Sequence, residues 1–201
     1  MANFDIQKII ADSIKTIVSP KSYFSSMAKT GGFVEPMIKA LVYGVVGGLI
    51  SFLWIQLGLS FSFGGMGAGA MAASGVATLV QAIIGAIIGL FIGGVFMLIL
   101  SLISGGSTDY EANVRVMASL MVMTPVSSLL MVTLGINLYL GGIIMTVVLF
   151  YYLWLLLNAL IHALSAKPMV AKIVVGVLAL LFIGGGFSMY RGMLALSSMG
   201  S

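Results

Sequence analysis

Residues 76–103 read VATLVQAIIGAIIGLFIGGVFMLILSLI. The stretch holds no charged side chain and one amide, Gln81. About 20 apolar residues suffice for a helix to cross a bilayer core of about 30 Å. These 28 residues would reach about 42 Å at 1.5 Å per residue. Such a helix must tilt or project from the membrane.

The stretch lies inside a longer uncharged run, residues 40–108, and two further runs follow at 116–166 and 173–190. Of the 201 residues, 61% are apolar and 7% are charged. A soluble domain carries about 25% charge, so a water-soluble globule is excluded. The mean hydropathy of +1.21 says the same. The fold class is therefore all-α: a polytopic integral membrane protein with five transmembrane helices behind an N-terminal amphipathic cytosolic segment. The spans are predicted at about Ile38–Leu59, Val76–Ile103, Val114–Leu134, Leu138–Leu164 and Met169–Met189. Residues 1–37 form the cytosolic segment, 38–189 the membrane domain and 190–201 a short external tail. Residues 60–75 are rich in Gly, Ser and Ala; sequence so dense in glycine makes a poor helix, and the stretch reads as an uncharged external loop.

Residues 3–18 have helical periodicity. Ile6, Ile9, Ile10, Ile14 and Ile17 share one face, and Asp5, Lys8, Asp12 and Lys15 share another. Such a helix either lies in the membrane interface or packs its isoleucines on the protein's own cytosolic surface. A second short helix follows, with Ser19 as its cap, Pro20 at its first position and Gly31-Gly32 after it.

Small residues recur at helical spacing. Gly44 and Gly48 form a GxxxG pair on the first span, and Gly85, Gly89 and Gly93 form a stripe on the second. Such stripes let another helix approach closely, from the same chain or from a second copy. Pro125 falls near the middle of the third span, where it removes a backbone hydrogen bond and kinks the helix. Gly135-Ile136-Asn137 reads as a tight turn into the fourth span.

Reactive groups are scarce. There are no cysteines, and the one histidine, His162, cannot build a multi-histidine metal site. No pair of acids lies within a span. The SGGS stretch at 104–107 follows a membrane helix rather than a strand, which argues against a phosphate cradle. No catalytic residue, metal or cofactor is expected, and the basic residues are too dispersed for nucleic acid. Gln81, Asn158 and His162 are the polar residues available to line a groove within the membrane, with Asn158 and His162 four apart on one face.

The charges also orient the chain. With the N-terminus in the cytoplasm and the C-terminus outside, eight of the nine basic residues lie inside, and only Arg191 lies outside.

Three stretches carry a family likeness. The first is Ser19-Pro20-Lys21-Ser22-Tyr23-Phe24 with Gly31-Gly32 and Pro36 before the first span. The second is Gly105-Gly106 after the second span, then Arg115-Val116-Met117-Ala118 and Pro125. The third is a fourth span, a polar connector with Lys167 and a fifth span. In this order they resemble the Yip1-domain family over roughly residues 17–185. The resemblance implies a five-span protein with a cytosolic N-terminus and no catalytic residues. Eukaryotic members are linked to vesicle traffic, Rab GTPases and membrane shaping, and carry a DLYGP-like motif. That motif is absent from this sequence, which resembles the short prokaryotic type and implies a prokaryotic cytoplasmic membrane.

The function expected is that of a non-enzymatic scaffold, accessory subunit or membrane-organising protein. Its partners are the lipid bilayer and another membrane protein or a second copy of itself. The alternative is a lipid or small-solute transporter using the groove of Gln81, Asn158 and His162.

Overall fold

A computed structural model describes residues 6–59 and 75–199, with side chains described for 6–59 and 80–186. The expected external loop at 60–75 falls almost wholly outside the described residues. So do the side chains of the C-terminal tail, Arg191 included.

Among the described residues the regular elements are helical. Two short helices, α1 (Ile6–Val18) and α2 (Pro20–Ser26), precede the membrane helices. The first two spans are α3 (Val34–Gln56) and α4 (Gly75–Ile103). The third is divided into α5 (Tyr110–Leu120), α6 (Met123–Leu130) and α7 (Val132–Ile136). The fourth is α8 (Leu138–Asn158), closed by a π-helical turn at Ala159–Ala163, and the fifth is α9 (Pro168–Met199). Five helical stretches are long and apolar enough to cross a membrane: Val34–Gln56, Val80–Ile103, Tyr110–Ile136, Leu138–Ala163 and Pro168–Gly186. Their outward faces carry Leu53, Ile84, Ile88, Ile92, Ile143, Val147 and Ile173, all exposed, as lipid contact requires.

The helix ends depart from the sequence-based bounds for local reasons. α3 begins one turn early, so Glu35 rides on the same helix as Lys39. α5 begins at Tyr110 because Asp109 caps it, its carboxylate accepting the Glu111 N–H at 3.0 Å. Gly135 and Ile136 belong to α7, and the turn is made at Asn137 alone. Its extended backbone (φ −152°) and side chain cap α8 by accepting the Leu140 N–H at 3.0 Å. α9 runs to Met199, so the backbone expected as a tail continues the helix.

Pro125 acts one turn upstream of itself. A proline at 125 leaves the Met121 carbonyl without its usual partner, and the helix breaks at Met121–Val122. The Thr124 N–H takes that carbonyl at 2.9 Å. The indole N–H of Trp54 reaches across from α3 to the Ser128 carbonyl at 3.0 Å. The kink thus brings the third span onto the first.

Close helix contacts fall on only some of the expected glycines. A Cβ on Gly44 would lie 2.5 Å from the Cβ of Ala86, so α3 and α4 touch there. Gly48 is buried on the same helix, as is Gly47, where a Cβ would meet Thr124 and Ser128. On α4, Gly93 meets Met117 and Gly94 meets Val114 of α5. Gly85 and Gly89 meet nothing within 4 Å among the described residues. The stripe is therefore no continuous seam within one chain. α3 meets α4 at Ala82 and Ala86 and α5 meets it from Gly93 onward, so an in-line row serves neither fully.

This asymmetry yields a test. Gly44→Leu overpacks a helix contact and should cost about 1–3 kcal/mol, lowering the unfolding midpoint in detergent. Gly89→Leu should leave that midpoint of the monomer unchanged. Equal losses at the two positions would place a helix against Gly89 as well.

Candidate functional site

Six charged residues, Lys8, Asp12, Glu35, Lys39, Glu111 and Arg115, converge at one end of the bundle. Arg115 of α5 is 6% exposed although it carries a full charge. Burying a guanidinium costs several kcal/mol unless its donors are taken up. Here Nε donates to the Ala28 carbonyl at 2.9 Å and Nη1 to the Gly32 carbonyl at 2.9 Å. Nη2 meets the Glu35 carboxylate at 2.5 Å. Glu111, one turn back on α5, stands 3.9 Å from Nη1 and accepts the Gly32 N–H at 2.7 Å.

The loop that Arg115 holds can take this shape only with glycines. Gly31 and Gly32 have φ of +128° and +81°, a region that side chains disfavour. The pair does more than end α2, because it wraps backbone around a buried cation.

Lys39, one turn beyond Glu35, is buried to the same degree. Its ammonium donates to Asp12 at 2.8 Å and to the Tyr23 hydroxyl at 3.2 Å, and lies 3.4 Å from Glu35. Tyr23 in turn shares a hydrogen bond of 2.9 Å with Ser119 of α5. One network therefore joins α1, α2, α3 and α5. Lys8 of α1 adds an outer contact to Glu35 at 3.6 Å.

The network sets the placement of α1. Lys8, Asp12 and Ser13 contact Glu35, Lys39 and Tyr43 in turn, the last at 2.7 Å. These partners step eight residues along α3, about 12 Å. The Ile17 carbonyl accepts from the Tyr151 hydroxyl of α8. α2 then returns, burying Phe24 completely. The pair forms a hairpin beside the membrane helices rather than a separate unit.

The isoleucine face is accordingly split. Ile9 is buried and Ile17 half-buried against the bundle. Ile6, Ile10, Ile14 and Val18 are 56%, 54%, 58% and 73% exposed in a row of four-residue steps. Asp12, one of the charged face, turns to the bundle and takes the Lys39 ammonium.

The other family-pattern residues have definite places. Pro20 begins α2 and is buried, while the Ser19 side chain makes no cap bond. Gly105 turns at φ +66° against the stem of Lys167. A Cβ on Gly106 would sit 2.9 Å from the Leu164 carbonyl, so the chain passes too close for any side chain. Ser107 N–H to Leu164 and Lys167 N–H to Ser104, at 2.7 and 2.9 Å, tie the α4 end to the α8 end.

The expected groove is not assembled. Gln81 is exposed, and 22 residues of helix, about 33 Å, separate it from the end of α4 at Ile103. Asn158 and His162 lie at the α8 end, to which Ile103 is adjacent. The amide of Asn158 donates to the Trp154 carbonyl at 2.8 Å rather than to His162. The π turn that begins at Ala159 also changes the register between the two.

Among the described residues no group of His, Cys, Asp or Glu could hold a metal ion. Glu35, Glu111 and Asp12 each stand within 4 Å of a cation. Glu35 and Lys39 were legible as an i, i+4 pair. Their convergence with Arg115 joins residues 80 apart in sequence, which no local pattern announces.

Removing Arg115 would strand two carbonyls, at Ala28 and Gly32, and leave Glu35 only its longer contacts to Lys39 and Lys8. Arg115→Ala should destabilise the fold by about 3–5 kcal/mol. Arg115→Lys should recover only part, since an ammonium cannot span three acceptors in a planar fork. Thermal unfolding in detergent reads the loss, and amide exchange at 27–33 should rise in step. A stable Arg115→Ala protein would show that the network is dispensable.

The Yip1 domain model matches residues 14–189, a range that takes in Pro20, the Gly31-Gly32 loop, Arg115, Pro125 and all five spans. No curated protein and no solved structure matches the chain. The buried Arg115–Glu35 pair, the tied Gly105-Gly106 turn and the five apolar helices all lie within the matched range, and the chain belongs to the Yip1 domain family of membrane proteins.

Proposed function

We propose that this protein is a non-enzymatic organiser of the membrane that seats an amphipathic helix in the cytoplasmic leaflet beside its own spans. The observation that carries this reading is the split face of α1. Its polar shoulder is clamped on the bundle by Asp12–Lys39, while Ile6, Ile10, Ile14 and Val18 stay open. The clamp runs alongside α3, so the open row falls where acyl chains begin. An apolar row of this kind binds by displacing headgroups and entering the boundary by about 5–10 Å. Lys21, exposed just after the turn, can reach the headgroups with its long stem.

The engagement of Asp12, Glu35 and Glu111 with cations supports a structural rather than a catalytic use of these groups. The separation of Gln81 from Asn158 and His162 supports an organiser over a transporter built on that groove. Gly85, Gly89 and the outer face of α9 offer room for a second copy or another membrane protein. The membrane is proposed to be the cytoplasmic membrane of a prokaryote, with the N-terminus inside and the C-terminus outside.

Orientation has a direct test. A cytoplasm-active reporter should work when inserted at 104–109 and be silent when fused after Ser201. Activity at both sites would refute the proposed orientation.

Spin labels test the leaflet helix in reconstituted vesicles. Labels at Ile10 and Ile14 should collide with oxygen, and a label at Lys15 with a water-soluble nickel chelate. Wild-type protein should shift vesicles towards smaller diameters, and Ile10→Asp with Ile14→Asp should abolish the shift without lowering the unfolding midpoint. Aqueous accessibility at all three labels would remove the leaflet role.

A further inference from the structure

Between α1, α2, α3 and α5 lies a cavity of about 230 Å³. Its walls hold four cations, Lys8, Lys15, Lys39 and Arg115, against two carboxylates, Asp12 and Glu35. Glu111 reaches Arg115 from behind at 3.9 Å and reduces the excess to one positive charge. Lys39 and Arg115 form the buried part, where water screens little and a charge acts strongly on its neighbours. Lys8 and Lys15 are exposed, seven residues apart on α1, which puts them on one face about 10 Å apart. Lys15 has no ion pair among the described residues.

We infer that this cavity takes the phosphodiester of an anionic phospholipid from the cytoplasmic leaflet. One surplus positive charge matches the single negative charge of a phosphodiester. A share of liquid volume of about 30 Å³ per water makes the cavity large enough for a phosphate with a small alcohol. The position favours a lipid over a free phosphate. α1 carries Lys8 and Lys15 on the shoulder facing the cavity and Ile6, Ile10 and Ile14 on another. A lipid whose chains lie along the isoleucine row has its headgroup at the cavity mouth. Lys15 binds the phosphate oxygens as a mobile point charge and Lys8 adds its charge from beside Glu35, 3.6 Å away, while Lys39 and Arg115 contribute through their field, their own donors being engaged by Asp12, Glu35 and main-chain carbonyls. The inference deepens the proposed function and rests on it for the placement of α1. Headgroup selectivity and vesicle diameter are separate measurements, so either can fail alone.

The test uses the full chain in a non-ionic detergent, titrated with dioctanoyl phosphatidylglycerol, dioctanoyl phosphatidylcholine or inorganic phosphate. Phosphatidylglycerol should raise the unfolding midpoint by about 5–10 °C at saturation, and phosphatidylcholine by less than a third of that. Lys15→Gln, and Lys8→Gln combined with it, should weaken the apparent affinity for phosphatidylglycerol at least tenfold. Lys15 is on the surface and outside the ion-pair network, so Lys15→Gln should unfold at the wild-type midpoint without lipid, and the double variant, which also loses the Lys8–Glu35 contact, is compared by its affinity alone. Equal responses to the two lipids, or an unchanged affinity in the double variant, would overturn the assignment. A lysine-dependent shift of the same size with inorganic phosphate would overturn it in favour of a free anion.

Discussion

A buried guanidinium must be answered on every side, and Arg115 is answered by three different parts of the chain. Ala28 and Gly32 supply carbonyls from the loop after α2, and Glu35 supplies a carboxylate from α3. Because each partner is fixed by the same cation, the loop, the start of the first span and the third span cannot move independently. The cost of burying the charge is what makes the arrangement specific. A looser packing would leave a charge in an apolar surround without compensation. Lys39 repeats the logic one turn away and extends it to α1 through Asp12 and to α2 through Tyr23.

The two ends of the molecule are consequently built by different means. At the charged end, helices are joined by ion pairs, hydrogen bonds to main chain and the Gly105-Gly106 turn, which ties α4 to α8. Deeper in the bundle, contact depends on shape. Gly44 admits Ala86, Gly47 admits Thr124, and the break ahead of Pro125 lets α6 lean onto α3. α9 is the least covered of the five spans and leaves Ile173, Val177, Leu180 and Leu181 open. Apolar side chains in such numbers on the outside of a bundle belong against lipid or another membrane helix.

The same charges that fasten the fold also shape its surface. Asp12, Glu35 and Glu111 offset Lys39, Arg115 and Lys8, which leaves the small positive remainder on α1 at Lys15. α1 thus meets its surroundings in three ways around its circumference. One side packs Ile9 and Thr16 on the bundle, a second presents amines, and a third presents isoleucines. A helix with this division suits a boundary between water and hydrocarbon.

Sequence alone determined the class and the count of spans, because an uncharged run longer than the bilayer core has one stable fate in a cell. It also determined the family, through Ser19-Pro20, Gly31-Gly32, Gly105-Gly106, Arg115 and Pro125 taken in order. It located the break in the third span to within a turn, since the effect of a proline is local. Tertiary structure alone decided which glycines touch a neighbour, separating Gly44 and Gly93 from Gly85 and Gly89. It took Gln81 away from Asn158 and His162, and it paired Asp12 with the buried Lys39. Spacing along a helix reveals which residues share a face, but not which face a distant helix will choose. That choice is made by desolvation: Lys39 and Arg115 can be buried only where carboxylates and carbonyls from the rest of the chain arrive together.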